Sequence, residues 1–403
     1  MTRGPSGAPS LVRSPPYYAG SMRYLDHAAT TPVLPEVRDA MLPFLGGDFG
    51  NPSSVHAFGR RAREAVEDAR DRVAAAIGAS PAEVVFTGGG TESDNLALKG
   101  GAAKLRGNGD HIVVTEFEHH AVLDTAEWLA RRGGFQVARV RVPSNGVIEP
   151  DDVAAAVRTT TVKASTMAVN NEIGTIQPIT KIAETVKAAN PNTLVHTDAV
   201  QALGNIPVDV HAWGVDLASF SAHKLGGPKG VGVLFIRSQV AAEPVIHGGG
   251  QERGLRSGTL NVPAIVGFGI AAEIAAKEVL EKADRLGSLR DRLLSGIRDL
   301  VPDVVVNGDL ERRIAANVNV CIPGADGETL LLLLDQAGIA CSSGSACASG
   351  ALDPSHVLLA IGTSKELAKG SLRFSLGRSS SVADVDEALD ALPAAIQNAR
   401  KVA

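Results

Sequence analysis

Between residues 83 and 237 the chain alternates short β-branched apolar runs with longer amphipathic ones. EVVFT (83–87), HIVVT (111–115), FQVARVRV (135–142), VKASTMAV (162–169), TLVHT (193–197), VDLASFS (215–221) and VGVLFIR (231–237) read as strands. Helical patterns cover 92–105, 119–132, 150–158 and 179–190. Strands alternating with helices predict βαβ units and a mostly parallel sheet with helices on both faces. Ligands of such sheets sit beyond the carboxyl ends of the strands. The polar and glycine-rich stretches follow those ends: GGGTESDN after EVVFT, EFEHH after HIVVT, NNEIG after STMAV, DAVQ after TLVHT and AHK after LASFS. From about Val262 the pattern changes. A long helical region (262–300) leads to a strand (315–322), a helix (328–338), the loop SSGSAC, a strand (371–377) and a final helix (384–400), which together read as a smaller α+β unit. The reading is an α/β fold with a large domain over 31–270. The small domain takes in 22–30 and 271–403.

Composition narrows the class. The 403 residues are 44% hydrophobic and 21% charged, ordinary for a globular chain with ample core. With 39 Lys and Arg against 44 Asp and Glu, the net charge of -5 lacks the basic excess of a dedicated nucleic-acid binder. Three cysteines exclude a disulfide scaffold and fit a reducing, cytoplasmic setting. No apolar run approaches the ~20 residues of a membrane-spanning helix. Residues 1–21 are rich in Pro, Gly and Ser and lack a signal-peptide core; they read as a disordered leader, with Met22 a candidate natural start.

The strongest local signal is SFSAHKLGGPKG (219–230), which puts Lys224 at a strand end among small residues. A desolvated lysine there has a depressed pKa and a nucleophilic amine; taken alone, a loop lysine is more often simply solvated. Asp198, also at a strand end, suits a buried carboxylate facing a pyridine nitrogen, or equally a helix N-cap. Gly88–Thr91 precede a helix, where backbone amides favour phosphate, although an ordinary βα turn has the same look. His119 follows another strand end and could stack on a flat cofactor and move protons, or be structural.

The order Gly-Thr, His, Asn, Asp, Gln, Lys resembles the fold-type I pyridoxal phosphate (PLP) enzymes of the class V aminotransferase group, and most closely the cysteine desulfurases of the NifS/IscS type. LDHAATTPV (25–33), FGNPSSVH (49–56), GGGTESDNLALKG (88–100), EHHAVLDT (118–125), NNEIGTIQP (170–178), HTDAVQALG (196–204), SFSAHKLGGPKG (219–230), HGGGQERGLRSGT (247–259), SSGSAC (342–347) and SLRFSLGR (371–378) carry the resemblance. It implies that Lys224 holds PLP covalently, Asp198 pairs with its ring nitrogen and His119 stacks on the ring. Gln201 and Asn171 would lie near the phenolic oxygen. Gly90, Thr91, Ser221 and His223 would cradle the phosphate. Thr259 would reach the phosphate of a neighbouring subunit, which requires a homodimer. Arg373 would bind the substrate carboxylate, its fork matching in bidentate fashion, with Asn171 beside the substrate.

Cys347 decides the chemistry. Its loop of Ser, Gly and Ala has little to pack and should be surface-facing, so the thiol is accessible. In the resembled family the matching cysteine takes sulfur from L-cysteine, leaving L-alanine and a persulfide, and passes it to an acceptor protein such as an iron–sulfur scaffold or a tRNA-thiolation protein. A selenocysteine lyase, another class V enzyme, or a non-catalytic sulfur-transfer scaffold are the alternatives. Cys321 and Cys341 read as packed strand cysteines. No set of metal ligands is expected, and His120 is read as a mere neighbour of His119.

Overall fold

A computed structural model describes residues 22–343 and 354–402. It opens on a two-residue strand, β1 (Arg23–Tyr24), and continues through β2 (Val84–Thr87), β3 (His111–Thr115), β4 (Gln136–Val140), β5 (Thr161–Ser165), β6 (Leu194–Asp198), β7 (Leu217–Ser221) and β8 (Gly232–Ile236). β2 to β8 form one seven-stranded sheet in the order β2-β8-β7-β6-β5-β3-β4. All neighbours run parallel except β8, which is antiparallel to both β2 and β7. β2, β3, β5, β7 and β8 are buried along their whole length. Burial on both faces explains why they read as continuous apolar runs rather than as alternations. The expected strand 162–169 stops at Ser165. Beyond it the backbone leaves the ladder, and Thr166 and Ala168 donate to the carbonyls of His196 and Asp198.

Two smaller sheets follow. β9 (Val305–Val306), β10 (Asn317–Cys321) and β12 (Ser371–Ser375) form an antiparallel sheet with β10 in the middle. β11 (Ile339–Ala340) pairs with β1 in parallel. Bridges Asp26–Ser375 and Ser342–Arg373 join these pieces, so the first described residues are woven into the last strand.

Two long helices near the start of the described chain escape the strand-led sequence reading, as do the short His356–Ala360 and Lys365–Lys369. Pro35–Leu45 begins on a proline, whose missing N–H costs nothing in a first turn. Ala57–Ile77 buries Ala62, Val66, Ala69, Val73 and Ile77 on one stripe; His56 caps its start, and Gly78 ends it at φ +68. Both pack on the helix Val262–Leu300, which runs unbroken across residue 270. The crossing is close: a Cβ on Gly269 would come within 2.8 Å of Ala69 Cα. At the edge of the sheet, Arg70 and Glu252 form a two-bond buried ion pair of 2.7 and 2.9 Å. Glu252 also accepts from the Phe86 amide (2.7 Å), and Arg70 donates to the Val84 carbonyl (2.9 Å). The pair thus clamps the helix Ala57–Ile77 and the 252–254 turn onto β2. Replacing Arg70 with Met leaves Glu252 buried without its cation. Urea unfolding should show a loss of about 3–5 kcal/mol.

Candidate active site

Strands that run in the same direction deliver the chemical groups to one edge of the large sheet. β6 ends on Asp198, and β7 ends on Ser221 and runs into the turn Ala222–Lys224. β2 ends on Thr87, before the glycines, and β3 on Thr115, four residues before His119. His119 caps the helix His120–Gly133, its Nδ1 accepting from the Ala121 amide (3.1 Å). Lys224 Nζ donates to the carbonyls of Ala28 (2.6 Å) and Ala29 (2.8 Å), and Gln201 Nε2 also reaches Ala28 O (3.0 Å). The segment after β1 therefore lies directly on the lysine.

Two cavities meet this segment. One of about 340 Å³ is lined by Ala28, Asn171, Gln201 and Lys224. The other, about 700 Å³, is lined by Ala29, Thr30, Gly88–Gly90, Thr91, Ser221, His223 and Lys229. The expected residues of the phosphate cradle, Gly90, Thr91, Ser221 and His223, thus share one hollow. Gly90 opens the helix Gly90–Asn95, and first-turn amides have no partner within their own helix. A Cβ on Gly90 would approach Val200 Cγ2 to 2.8 Å, and Gly89 sits at φ +150, where side chains are strained. His223 Nδ1 lies 3.1 Å from Thr30 Oγ1; burial, with Lys224 and Lys229 nearby, pulls its pKa down to about 4.

Asp198 is 5% exposed and accepts from the Val200 amide (2.9 Å). Burial raises its pKa, while His119, that amide and Lys224 pull it back. Two further buried acids stand close and were not singled out from the sequence. Burial drives Asp94 well up, and the like charge of Asp198 adds to it. Burial pushes Glu118 up to about 8. Of the three acids, Asp198 is the one with Lys224 and His119 acting in favour of its charged form. His196, fully buried between Ser165 Oγ (2.8 Å) and Ser219 Oγ (3.1 Å), lies 3.6 Å from Asp94 Oδ1. No spacing in the sequence marks Asp94 or Glu118; each became visible only once the strands stood side by side.

Arg373 lies in β12 and is 2% exposed. Its Nη1 donates to the carbonyl of Asn171 (2.9 Å), which brings the small sheet to the large one, and its Nη2 pairs with Asp26 (2.8 Å). Thr259 is exposed and lines neither cavity. Its loop is tied back by Arg256, which holds Glu92 at 2.9 Å beside the glycines. Cys347 lies outside the described residues. Cys321 is buried at β10 under Asn307 Nδ2 (3.2 Å), and burial raises its pKa to about 11. Cys341 follows β11, and burial with the nearby Asp26 pushes its thiol up to about 12, so neither is a ready thiolate. His120 is exposed and faces Asp124. Among the described residues no three His, Cys, Asp or Glu side chains stand where they could hold a metal, and no helix is long and apolar enough to cross a membrane.

A strand-end lysine, a buried acid with Lys224 and His119 near it, and a glycine turn at a helix start fit the three parts of PLP: aldehyde, ring nitrogen and phosphate. An α/β sheet bearing these groups at its carboxyl edge belongs with the fold-type I PLP enzymes. Residues 23–388 match the family described as Aminotransferase class-V, and the chain belongs to that family, whose members are PLP enzymes. "Cysteine desulfurase IscS" of Clostridium botulinum (strain Hall) is 48% identical over 381 residues, covering 94% of this chain and 95% of its own. A solved structure described as "NIFS-LIKE PROTEIN" superposes with a TM-score of 0.88 at 41% identity, covering 94% of this chain and all of the other. Another, described as SspA in complex with cysteine, gives a TM-score of 0.77 at 35% identity over 88% of this chain and 98% of its own.

The imidazoles yield a pH prediction. His27 and His223 each have a folded pKa near 4, both chiefly through burial. The unfolded chain, with histidines near 6.5, binds more protons between those values. The contribution of these two imidazoles to stability should therefore rise with pH from about 4 to 6.5, while the raised Asp94 and Glu118 act in the opposite sense. NMR titration should place both imidazole midpoints near 4, and a midpoint near 6.5 for either would contradict its burial.

Proposed function

We propose that this chain is a PLP-dependent cysteine desulfurase that takes sulfur from L-cysteine, releases L-alanine and carries the sulfur as a persulfide on Cys347. The observation that carries the reading is the convergence of Lys224, buried Asp198 and the glycine cradle beside buried Arg373. The desulfurase name of a relative 48% identical over 94% of the chain supports the substrate. Bound there, PLP supplies the electron sink for the charge left when the substrate loses its α-proton. Arg373 holds the substrate carboxylate, and Asn171, whose carbonyl it already touches, lies beside it. Gly90, Thr91, Ser221 and His223 hold the phosphate; His223 is neutral at physiological pH and serves as a hydrogen-bonding group rather than a cation. Asp198 holds the ring nitrogen, with Gln201 near the phenolic oxygen. His119 covers the ring face and moves protons. Lys224 takes the α-proton, its amine oriented by the Ala28 and Ala29 carbonyls. The thiolate of Cys347 attacks the substrate sulfur; a sulfur–sulfur bond forms, the carbon–sulfur bond breaks, and a proton returns to the carbon to give alanine.

The active unit is a homodimer in which Thr259 reaches the neighbouring subunit's phosphate. Its exposure on a loop anchored to Glu92 supports this, as do the uncovered Leu42, Leu45, Phe49, Val55 and Phe58. The division of labour is a large unit (31–270) holding PLP and a small one (22–30 and 271–403) carrying Arg373 and Cys347. The sulfur goes to an acceptor protein in the cytoplasm, an iron–sulfur scaffold or a tRNA-thiolation protein.

Two substitutions separate the roles. Lys224→Ala should abolish the visible absorbance of bound cofactor. Cys347→Ser should keep that absorbance and stop alanine and sulfide release from L-cysteine by at least ~100-fold, the scale of losing a nucleophile. Full activity in Cys347→Ser would refute the persulfide route, and equal release from an aminotransferase-type assay with a keto acid would favour a different class V activity.

A further inference from the structure

The contact between Arg373 and Asp26 has a role that the reaction above does not use. Arg373 is almost wholly buried (2%), whereas the Asp26 side chain keeps 19% exposure. Among the described residues the carboxylate engages through one oxygen, Oδ1 on Nη2 at 2.8 Å, and the guanidinium's other partner is the Asn171 carbonyl. Arg373 Nε is buried and has no partner among the described residues. A guanidinium presents a planar fork suited to two carboxylate oxygens at once, so this pairing is incomplete. The cation is held by its strand, the carbonyl of Asn171 and the backbone exchange with Ser342, whereas the acid lies on the segment after β1 with its side chain partly in solvent.

We propose that Asp26 is a place-holder for the substrate carboxylate: it neutralises Arg373 while the site is empty and yields that position when an amino acid binds. The inference rests on the reading that Arg373 takes the substrate carboxylate. A buried guanidinium without a counter-ion is costly, which is why something must stand there between turnovers. The groups facing Asp26 agree with a carboxylate that is tolerated rather than locked: Arg373 attracts it, Tyr24 and Cys341 feel its charge, and its own backbone carbonyl accepts from Tyr24 Oη (3.0 Å). Every ligand with a carboxylate must compete with Asp26; a ligand without one need not. Asp26 is thus a positioning residue that lowers the affinity for substrate and product alike and so helps alanine leave.

The test uses the holoenzyme and the change in its visible absorbance on titration with L-alanine, and with ethylamine as the carboxylate-free probe. Asp26→Asn keeps size and an acceptor but removes the charge. It should tighten L-alanine by about 10-fold and lower the KM for L-cysteine similarly, with kcat unchanged or reduced by slower release. Ethylamine affinity should move less than about twofold. Asp26→Glu, which keeps the charge, should stay close to wild type. Unchanged or weaker L-alanine binding in Asp26→Asn would overturn the proposal and make Asp26 a support of Arg373. If Asp26→Asn does not fold, Asp26→Ser carries the same expectation. Arg373→Gln distinguishes the two levels: if it fails to weaken L-alanine, the carboxylate reading itself is wrong; if it weakens L-alanine while Asp26→Asn does nothing, only the place-holder is wrong.

Discussion

Keeping one negative charge on Asp198, inside protein, is the constraint around which the site is arranged. A lone buried carboxylate takes up a proton, and here two others, Asp94 and Glu118, compete within the same dry region. The outcome depends on which acid has cations beside it. Parallel pairing of β6 with β7 puts Asp198 and the Lys224 turn at the same level of the sheet, and β3, two strands away, brings His119 to that edge. The topology thereby gives Asp198 the neighbours that favour its charged form. The ring nitrogen of PLP is useful as an electron sink only when it is protonated, so the strand order is an electrostatic device as much as a scaffold.

The sheet was legible because its strands are short, β-branched and buried on both faces, with loops of unmistakable turn chemistry between them. HIVVT and the helix 262–300 fall where the pattern puts them. The helix Ala57–Ile77 has a weak signature in the sequence, since its charged Arg and Glu positions dilute an apolar stripe rich in alanine. At the site, residues at strand ends were readable because the fold rule says where to look. Lys224, Gln201 and Asn171 line one cavity, and Gly90, Thr91, Ser221 and His223 another. Asp26 and the Ala28 and Ala29 carbonyls were not readable as groups with roles. Their importance comes from contacts with residues near the other end of the chain, and backbone carbonyls leave no trace in side-chain identity.

The two ends of the chain are interdependent in the packing as well. β1 lies against β11, and Arg23 reaches Glu387 and Asp384 in the last helix. Arg285 of the long helix donates to the carbonyls of Gly377, Arg378 and Ser380. His27 packs so tightly on Gly377 that a Cβ there would fall 2.3 Å from the imidazole. A side chain at Gly377 would displace His27 and be felt at the lysine, through the segment that joins His27 to Ala28.

Asp26 meets Arg373, and Ala28 meets Ser375, across separations of 347 residues. During synthesis at 5–20 residues per second, the ribosome needs roughly 17–70 s after making Asp26 before Arg373 exists to meet it. The large sheet is complete long before that, phosphate cradle and lysine included. In a nascent chain the cofactor edge therefore exists before the strand that bears Arg373 does.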